Sequence, residues 1–180
     1  MDVAALQARL LPTQGQGGHA AAVTAILRDG DDGAEVLLVV RREREGDPWS
    51  GQVALPGGKA LPDETCEETA CREAREEVGI DLRASAPILG CLPMRAPANR
   101  PDMAVVPCVA VLTAEAALTA GEEIASCRWA PLRALAAGAT TVRRTLRHGE
   151  REFPAFVHEG LEIWGLTHRI LRELQEHIPP

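Results

Sequence analysis

Residues 58–80 read GKALPDETCEETACREAREEVGI. Glu73, Glu76 and Glu77 stand at i, i+3 and i+4, so a helix over this run places three carboxylates on one stripe. Like charges set side by side repel unless a cation sits among them. An oxygen-preferring divalent metal is the natural occupant, and Mg²⁺ commonly brings a phosphate with it. Taken alone, EAREE reads as a solvated helix face. Its surroundings change that reading: Gly58, then Glu64, then Arg72 directly before Glu73, and Gly79-Ile80 closing the run.

The local signals predict a helix with Thr65 as N-cap, running to about Val78 and stopped by Gly79. At roughly 100° per residue, Cys66, Ala70, Ala74 and Val78 form an apolar stripe beside the carboxylates. One face therefore anchors in a core while the next presents the glutamates.

The whole pattern resembles the Nudix box, G-x5-E-x7-R-E-U-x-E-E-x-G-U, where U is aliphatic. Gly58, Glu64, Arg72, Glu73, Glu76, Glu77, Gly79 and Ile80 fall in register, and Ala74 fills the first U. The resemblance implies an α/β fold, a Nudix-type α/β/α sandwich with a mixed β-sheet. It also implies that Glu73, Glu76 and Glu77 hold Mg²⁺ or Mn²⁺ with help from the Gly57 carbonyl. Arg72 and Glu64 would brace the loop against the helix, a task suited to a bidentate pair. The implied substrate is a nucleoside diphosphate linked to another moiety. Which glutamate acts as base stays open; Glu122 and Glu123 are candidates outside the box, with an exposed acidic turn as the alternative reading.

Residues 37–58, LLVVRREREGDPWSGQVALPGG, resemble the signature of coenzyme A pyrophosphatases, LLTxRSA-x3-R-x3-G-x3-FPGG. Leu37, Leu38, Arg41, Gly51 and Pro56-Gly57-Gly58 match. Val39, Arg42, Glu43, Asp47 and Leu55 depart from it, and Asp47 stands where a second cation is expected, with Arg44 nearby. The tail GLEIWGLTHRIL (160–171) is similar to the closing helix of that group, and also reads as plain core. This implies hydrolysis of CoA or acyl-CoA to 3′,5′-ADP and 4′-phosphopantetheine. ADP-ribose, nucleotide sugars and (d)NTPs are the alternative substrates, and a non-catalytic Nudix binding module is the alternative from another class. The complete glutamate set argues against the last, since a pure binder needs no such set. Candidate substrate contacts are Arg41, Lys59, Arg44 and Arg95, with Arg100, Arg143, Arg144 and Arg147 on neighbouring loops.

The 180 residues, 46% hydrophobic and 25% charged, fit one domain with a proper core, residues 1–18 forming an N-terminal helix and linker. A net charge of −7 argues against nucleic-acid and membrane-surface partners and leaves a small-molecule nucleotide. No apolar run spans a bilayer and no signal-peptide pattern opens the chain, so a cytoplasmic location is expected, as a monomer or a homodimer. The five cysteines, Cys66, Cys71, Cys91, Cys108 and Cys127, form no CxxC pair and read as free thiols rather than a disulfide framework or a zinc site.

Outside the box, a helix is predicted over 2–11, a connector over 13–18, and a hairpin of strands 20–28 and 34–41. Strands follow at 52–55, 86–94, 104–113 and 124–129, with a helical turn at 131–137. Segments 42–51, 93–103 and 139–152 read as loops. Residues 161–176 read as an amphipathic helix weakened by Gly165.

Overall fold

The computed structural model describes residues 1–13, 18–46, 49–146 and 149–178. Its elements run α1 (Val3–Gln7), β1 (Ala21–Gly30), β2 (Gly33–Arg41), β3 (Val53–Ala54), β4 (Gly57–Lys59), α2 (Cys66–Val78), α3 (Leu82–Ser85) and β5 (Ile88–Cys91). Then come β6 (Val105–Val111), β7 (Ile124–Pro131), α4 (Leu132–Ala137), β8 (Ala139–Leu146), β9 (Gly149–His158), β10 (Leu161–Trp164) and α5 (Gly165–His177). The main sheet has the order β3-β2-β1-β6-β5, with β4 also on β1 and β7 also on β2. β1 and β6 run parallel while the other pairs are antiparallel, so the sheet is mixed.

The expected hairpin is β1–β2, closed at Gly30 and Gly33 around Asp31-Asp32. Alternate residues of its strands feed two cores. Ala22, Ile26, Leu37 and Val39 face Cys66, Ala70, Ala74 and Val78 of α2, while Ala25, Leu27, Val36 and Leu38 face α4, α5 and the second sheet. Burial on both faces explains why β6, VVPCVAV, reads as continuous apolar sequence. The α/β fold, with helices on both faces of a mixed sheet, is that of the Nudix-type sandwich.

Several expected elements need correction. Residues 139–152 are not a loop: β8 and β9 pair from Ala139↔Phe156 to Leu146↔Gly149, and β10 adds to β9. The 161–176 helix is divided, because Leu161–Trp164 is strand and Gly165, at φ +66, turns the chain into α5. The strand expected over 86–94 is confined to Ile88–Cys91, preceded by α3, whose first turn is capped by the Asp81 carboxylate. The N-terminal segment also joins the core: Leu6 is fully buried and Leu11 forms a bridge to Cys91. Of the expected connector, residues 14–17 lie outside the described residues, as do Asp47 and Arg147.

Candidate active site

The glutamates sit on α2, and its ends form as the sequence predicts. Thr65 accepts a hydrogen bond from the Glu68 N–H while the Glu68 side chain accepts one from the Thr65 N–H, a reciprocal cap. Gly79 ends the helix at φ +75, in the left-handed region. Cys66, Ala70, Ala74 and Val78 are buried against β1 and β6, which fixes the rotation of the helix and so the direction of the carboxylates.

Glu73 and Glu77 lie inward, their side chains 14% and 8% exposed, whereas Glu76 is 60% exposed. The β4 glycines permit two close approaches, Gly58 to Glu73 and Gly57 to β1. A Cβ on Gly58 would overlap the Glu73 carboxylate, and one on Gly57 would strike the Ala22 carbonyl oxygen and Val23. The Gly57 N–H donates to Glu77 Oε2 at 2.9 Å. Burial pushes the Glu77 carboxyl up to about 7, against the pull of the Gly57 N–H and with the Glu73 charge adding to the rise. Burial also raises Glu73, and Arg72 opposes that. Two carboxylates, one buried and one partly so, held up in this way favour a cation beside them, and an all-oxygen donor set suits a hard divalent ion.

Arg72 joins the box together. Its Nε and Nη2 donate to Glu64 Oε1 and Oε2 at 2.8 and 3.0 Å, forming the bidentate bridge expected from the resemblance. Nη2 also donates to the Lys59 carbonyl at 2.8 Å, and Nη1 to Glu73 Oε1 at 2.6 Å and Glu76 Oε2 at 3.3 Å. The Arg72 guanidinium holds the Glu64 carboxyl down at about 2, helped by the Leu61 N–H and the Thr69 hydroxyl. One side chain thus ties the loop, the end of β4 and two carboxylates of the stripe.

A second carboxylate group approaches from outside α2. Glu123 precedes β7, and its carbonyl accepts from the Arg42 N–H at 2.8 Å. Its carboxylate pairs with Arg44 Nη1 at 2.8 Å and Arg41 Nη2 at 3.6 Å. Arg41 Nη1 also lies 3.8 Å from Glu77 Oε1, so Arg41 spans the stripe and Glu123. Arg41 reaches this place from the end of β2, where the pairing with β7 shifts register. Glu122 is exposed.

The remaining candidates are distributed differently. Lys59 is exposed at the end of β4. Arg95 is held by both oxygens of Glu173 at 2.9 Å, in a cleft of about 280 Å³ shared with Arg169, Arg172 and Glu176. Arg100 pairs with Asp102, Arg143 with Glu152, and Arg144 with Glu162.

The NUDIX domain pattern matches residues 18–153. The chain belongs to the Nudix family. The uncharacterized Nudix hydrolase NudL of Yersinia pestis (strain Pestoides F) is 35% identical over 148 residues, covering 79% of this chain and 72% of that protein. Nudix hydrolase 15, mitochondrial, of Arabidopsis thaliana is 45% identical over 62 residues, or 34% of this chain. An uncharacterized protein of Schizosaccharomyces pombe is 57% identical over 49 residues, or 27% of this chain. The matches span only 22% and 15% of these last two proteins. Among solved structures, the Nudix hydrolase RenU of M. smegmatis superposes with a TM-score of 0.58 at 22% identity, covering 90% of this chain and 88% of that one. A C. elegans Ap4A hydrolase binary complex gives a TM-score of 0.53 at 24% identity, covering 63% and 80%. These likenesses show the fold. Nudix hydrolases are enzymes of pyrophosphate bonds that generally use divalent metal ions.

Proposed function

We propose that this Nudix chain hydrolyses a nucleoside diphosphate linked to a second moiety, and that CoA or an acyl-CoA is the substrate, giving 3′,5′-ADP and a 4′-phosphopantetheine product. The observation that carries the hydrolase reading is the convergence of Glu73, Glu76 and Glu77 on one face of α2, with Arg41 at the end of β2 set between Glu77 and Glu123, and Arg44 pairing with Glu123.

Glu73, Glu76 and Glu77, with the Gly57 carbonyl, would hold Mg²⁺ or Mn²⁺. When bound, such an ion polarises phosphoryl oxygens and acidifies water. Catalysis of a diphosphate displacement is otherwise a matter of positioning and charge stabilisation. Arg72 and Glu64 fix the stripe against β4. Arg41 and Arg44 can exchange Glu123 for phosphate oxygens, which releases the Glu123 carboxylate to accept a proton from water. Lys59 and Arg95 are assigned to the outer phosphate contacts, Arg95 only after leaving Glu173. Five unpaired thiols fit a reducing compartment and support a cytoplasmic location.

Support for CoA comes from the 37–58 signature. Leu37 and Leu38 are buried in opposite cores, Gly57 lets β4 pass close to β1 and Gly58 makes room for Glu73, so these matches serve the fold. Arg41 is the matching residue that faces Glu77 and Glu123. Comparison of kcat/KM for CoA, ADP-ribose, a nucleotide sugar and nucleoside triphosphates, with products identified by mass, tests the assignment. CoA is expected to lead by at least about tenfold, the scale of one substrate contact. A tenfold advantage for another substrate removes the CoA reading and leaves the hydrolase reading intact.

A further inference from the structure

Three cysteines that are distant in sequence meet on the α2 face of the sheet. Cys91 ends β5 and is the register partner of Cys108 in β6, which places both side chains on one face. Cys66, the first residue of α2, lies over them. The Cys91 and Cys108 sulfurs are 3.6 Å apart, and all three sulfurs lie within 4.8 Å of one another. Exposure is 2% for Cys66 and zero for the other two.

Buried cysteines commonly serve as small hydrophobes, and Cys71 and Cys127 need no other account. The trio differs in its geometry. Tetrahedral zinc, with Zn–S near 2.3 Å, sets its sulfurs roughly 3.8 Å apart, so a closure of about 1 Å at most would suffice here. Cys66 also occupies the N-terminal turn of a helix, a position that favours thiolate. The Cys66 thiol donates to the Thr13 carbonyl at 3.6 Å, and the Cys108 thiol to the Cys66 carbonyl at 3.8 Å. The Nε2 of His19, on the segment before β1, is buried without a hydrogen-bond partner, and lies outside the cluster formed by the three sulfurs.

We propose that Cys66, Cys91 and Cys108 form a site for a thiophilic divalent cation, with Zn²⁺ as the fitting ion and His19 as the fourth donor once its ring moves inward. The sulfur set discriminates against Mg²⁺, so the site is chemically separate from the carboxylate stripe. Binding displaces the thiol protons, three for three thiolates, and strengthens as pH rises. A metal here clamps the start of α2 to β5 and β6, and thereby fixes the helix that carries the glutamates.

Co²⁺ is the probe, added in one equivalent to the reduced, full-length protein in a large excess of Mg²⁺. The expected result is a thiolate-to-cobalt charge-transfer band with the intense visible bands of tetrahedral cobalt, both bleached by Zn²⁺. The bands should persist in Cys71→Ser and Cys127→Ser and vanish in Cys66→Ser and Cys108→Ser. His19→Ala should keep the charge transfer and weaken binding at least about tenfold, no less than the loss of an outer-shell partner costs. Should the cysteine variants fail to fold, native mass spectrometry of the wild type decides, because one Zn²⁺ must stay bound in the presence of excess Mg²⁺. Absence of the charge-transfer band and of retained Zn²⁺ in the wild type, or an undiminished band in folded Cys66→Ser or Cys108→Ser, overturns the proposal.

Discussion

Glu77→Gln is expected to lower turnover by about 10³-fold or more while making the metal-free protein more stable above pH 7. The amide keeps the oxygen that accepts the Gly57 N–H and removes only the charge. Loss of turnover follows because a cation-holding carboxylate stabilises charge directly in a water-poor site, where single electrostatic contacts reach that scale. The stability change has the opposite sign. Glu77 has its pKa raised from 4.5 to about 7 in the folded chain, so the folded state holds the proton more tightly than the unfolded one. The resulting stability is fully present below about pH 4.5 and is lost as pH rises to about 7, at a cost of about 1–3 kcal/mol. Thermal melts with a chelator should therefore show wild type losing more stability across that window than Glu77→Gln, in which only the raised Glu73 carboxyl remains. Parallel pH dependences of the two proteins, or near-normal turnover by the variant, would contradict the assignment.

Arg72→Ala is expected to cost about 2–3 kcal/mol and at least about 100-fold in turnover, because it leaves Glu64 and Glu73 without their shared cation. Arg72→Lys should recover little, since an ammonium cannot reproduce the fork that spans Glu64, Glu73 and the Lys59 carbonyl. Acid provides an independent reading of the same contact. The Glu64 carboxyl falls from 4.5 to about 2, so its contribution is present above about pH 4.5 and is lost as pH falls to about 2. With a 16% exposed side chain, solvent screening reduces this to about 1–2 kcal/mol. Stability measured across that window should flatten in Glu64→Gln. An Arg72→Lys variant with wild-type activity and stability would show that the bidentate geometry is unimportant.

The parts of the fold legible in sequence are those where one period or one cap dominates. Thr65, Glu68 and Gly79 bound α2 by local chemistry alone, and the stripe from Cys66 to Val78 repeats at helical spacing. The β8–β9 hairpin gives no such signal. Val142, Ala155 and Phe156 are its buried residues among those whose side chains are described, and the intervening Arg, Glu and Thr face solvent. A strand polar on both faces lacks the alternation that marks a half-buried one. Leu161 and Ile163 are at strand spacing while Ile163 and Leu166 are at helical spacing, and the backbone change at Gly165 marks where one gives way to the other.

The site divides in the same way. The box fixes Glu64, Arg72 and the three glutamates because their spacing lies within one loop and one helix. Along the chain Glu123 is only an acidic residue before a strand, and its approach to Arg41 depends on β7 pairing with β2. The three-thiol cluster needs β5, β6 and α2 to meet, and no spacing along the chain announces that. Arg95, equal to the other arginines as a sequence candidate, is engaged by Glu173 on α5.

The central claim is that the α2 glutamates carry a metal-dependent hydrolysis. The direct measurement is product formation from CoA and the comparison substrates by wild type and by the folded triple variant Glu73→Gln, Glu76→Gln, Glu77→Gln, each stripped of divalent ions and then titrated with Mg²⁺ or Mn²⁺. Wild type should be silent without metal and active with it, while the triple variant should stay at background at every metal concentration. Metal-stimulated hydrolysis by the triple variant, or undiminished hydrolysis by stripped wild type, would contradict the account.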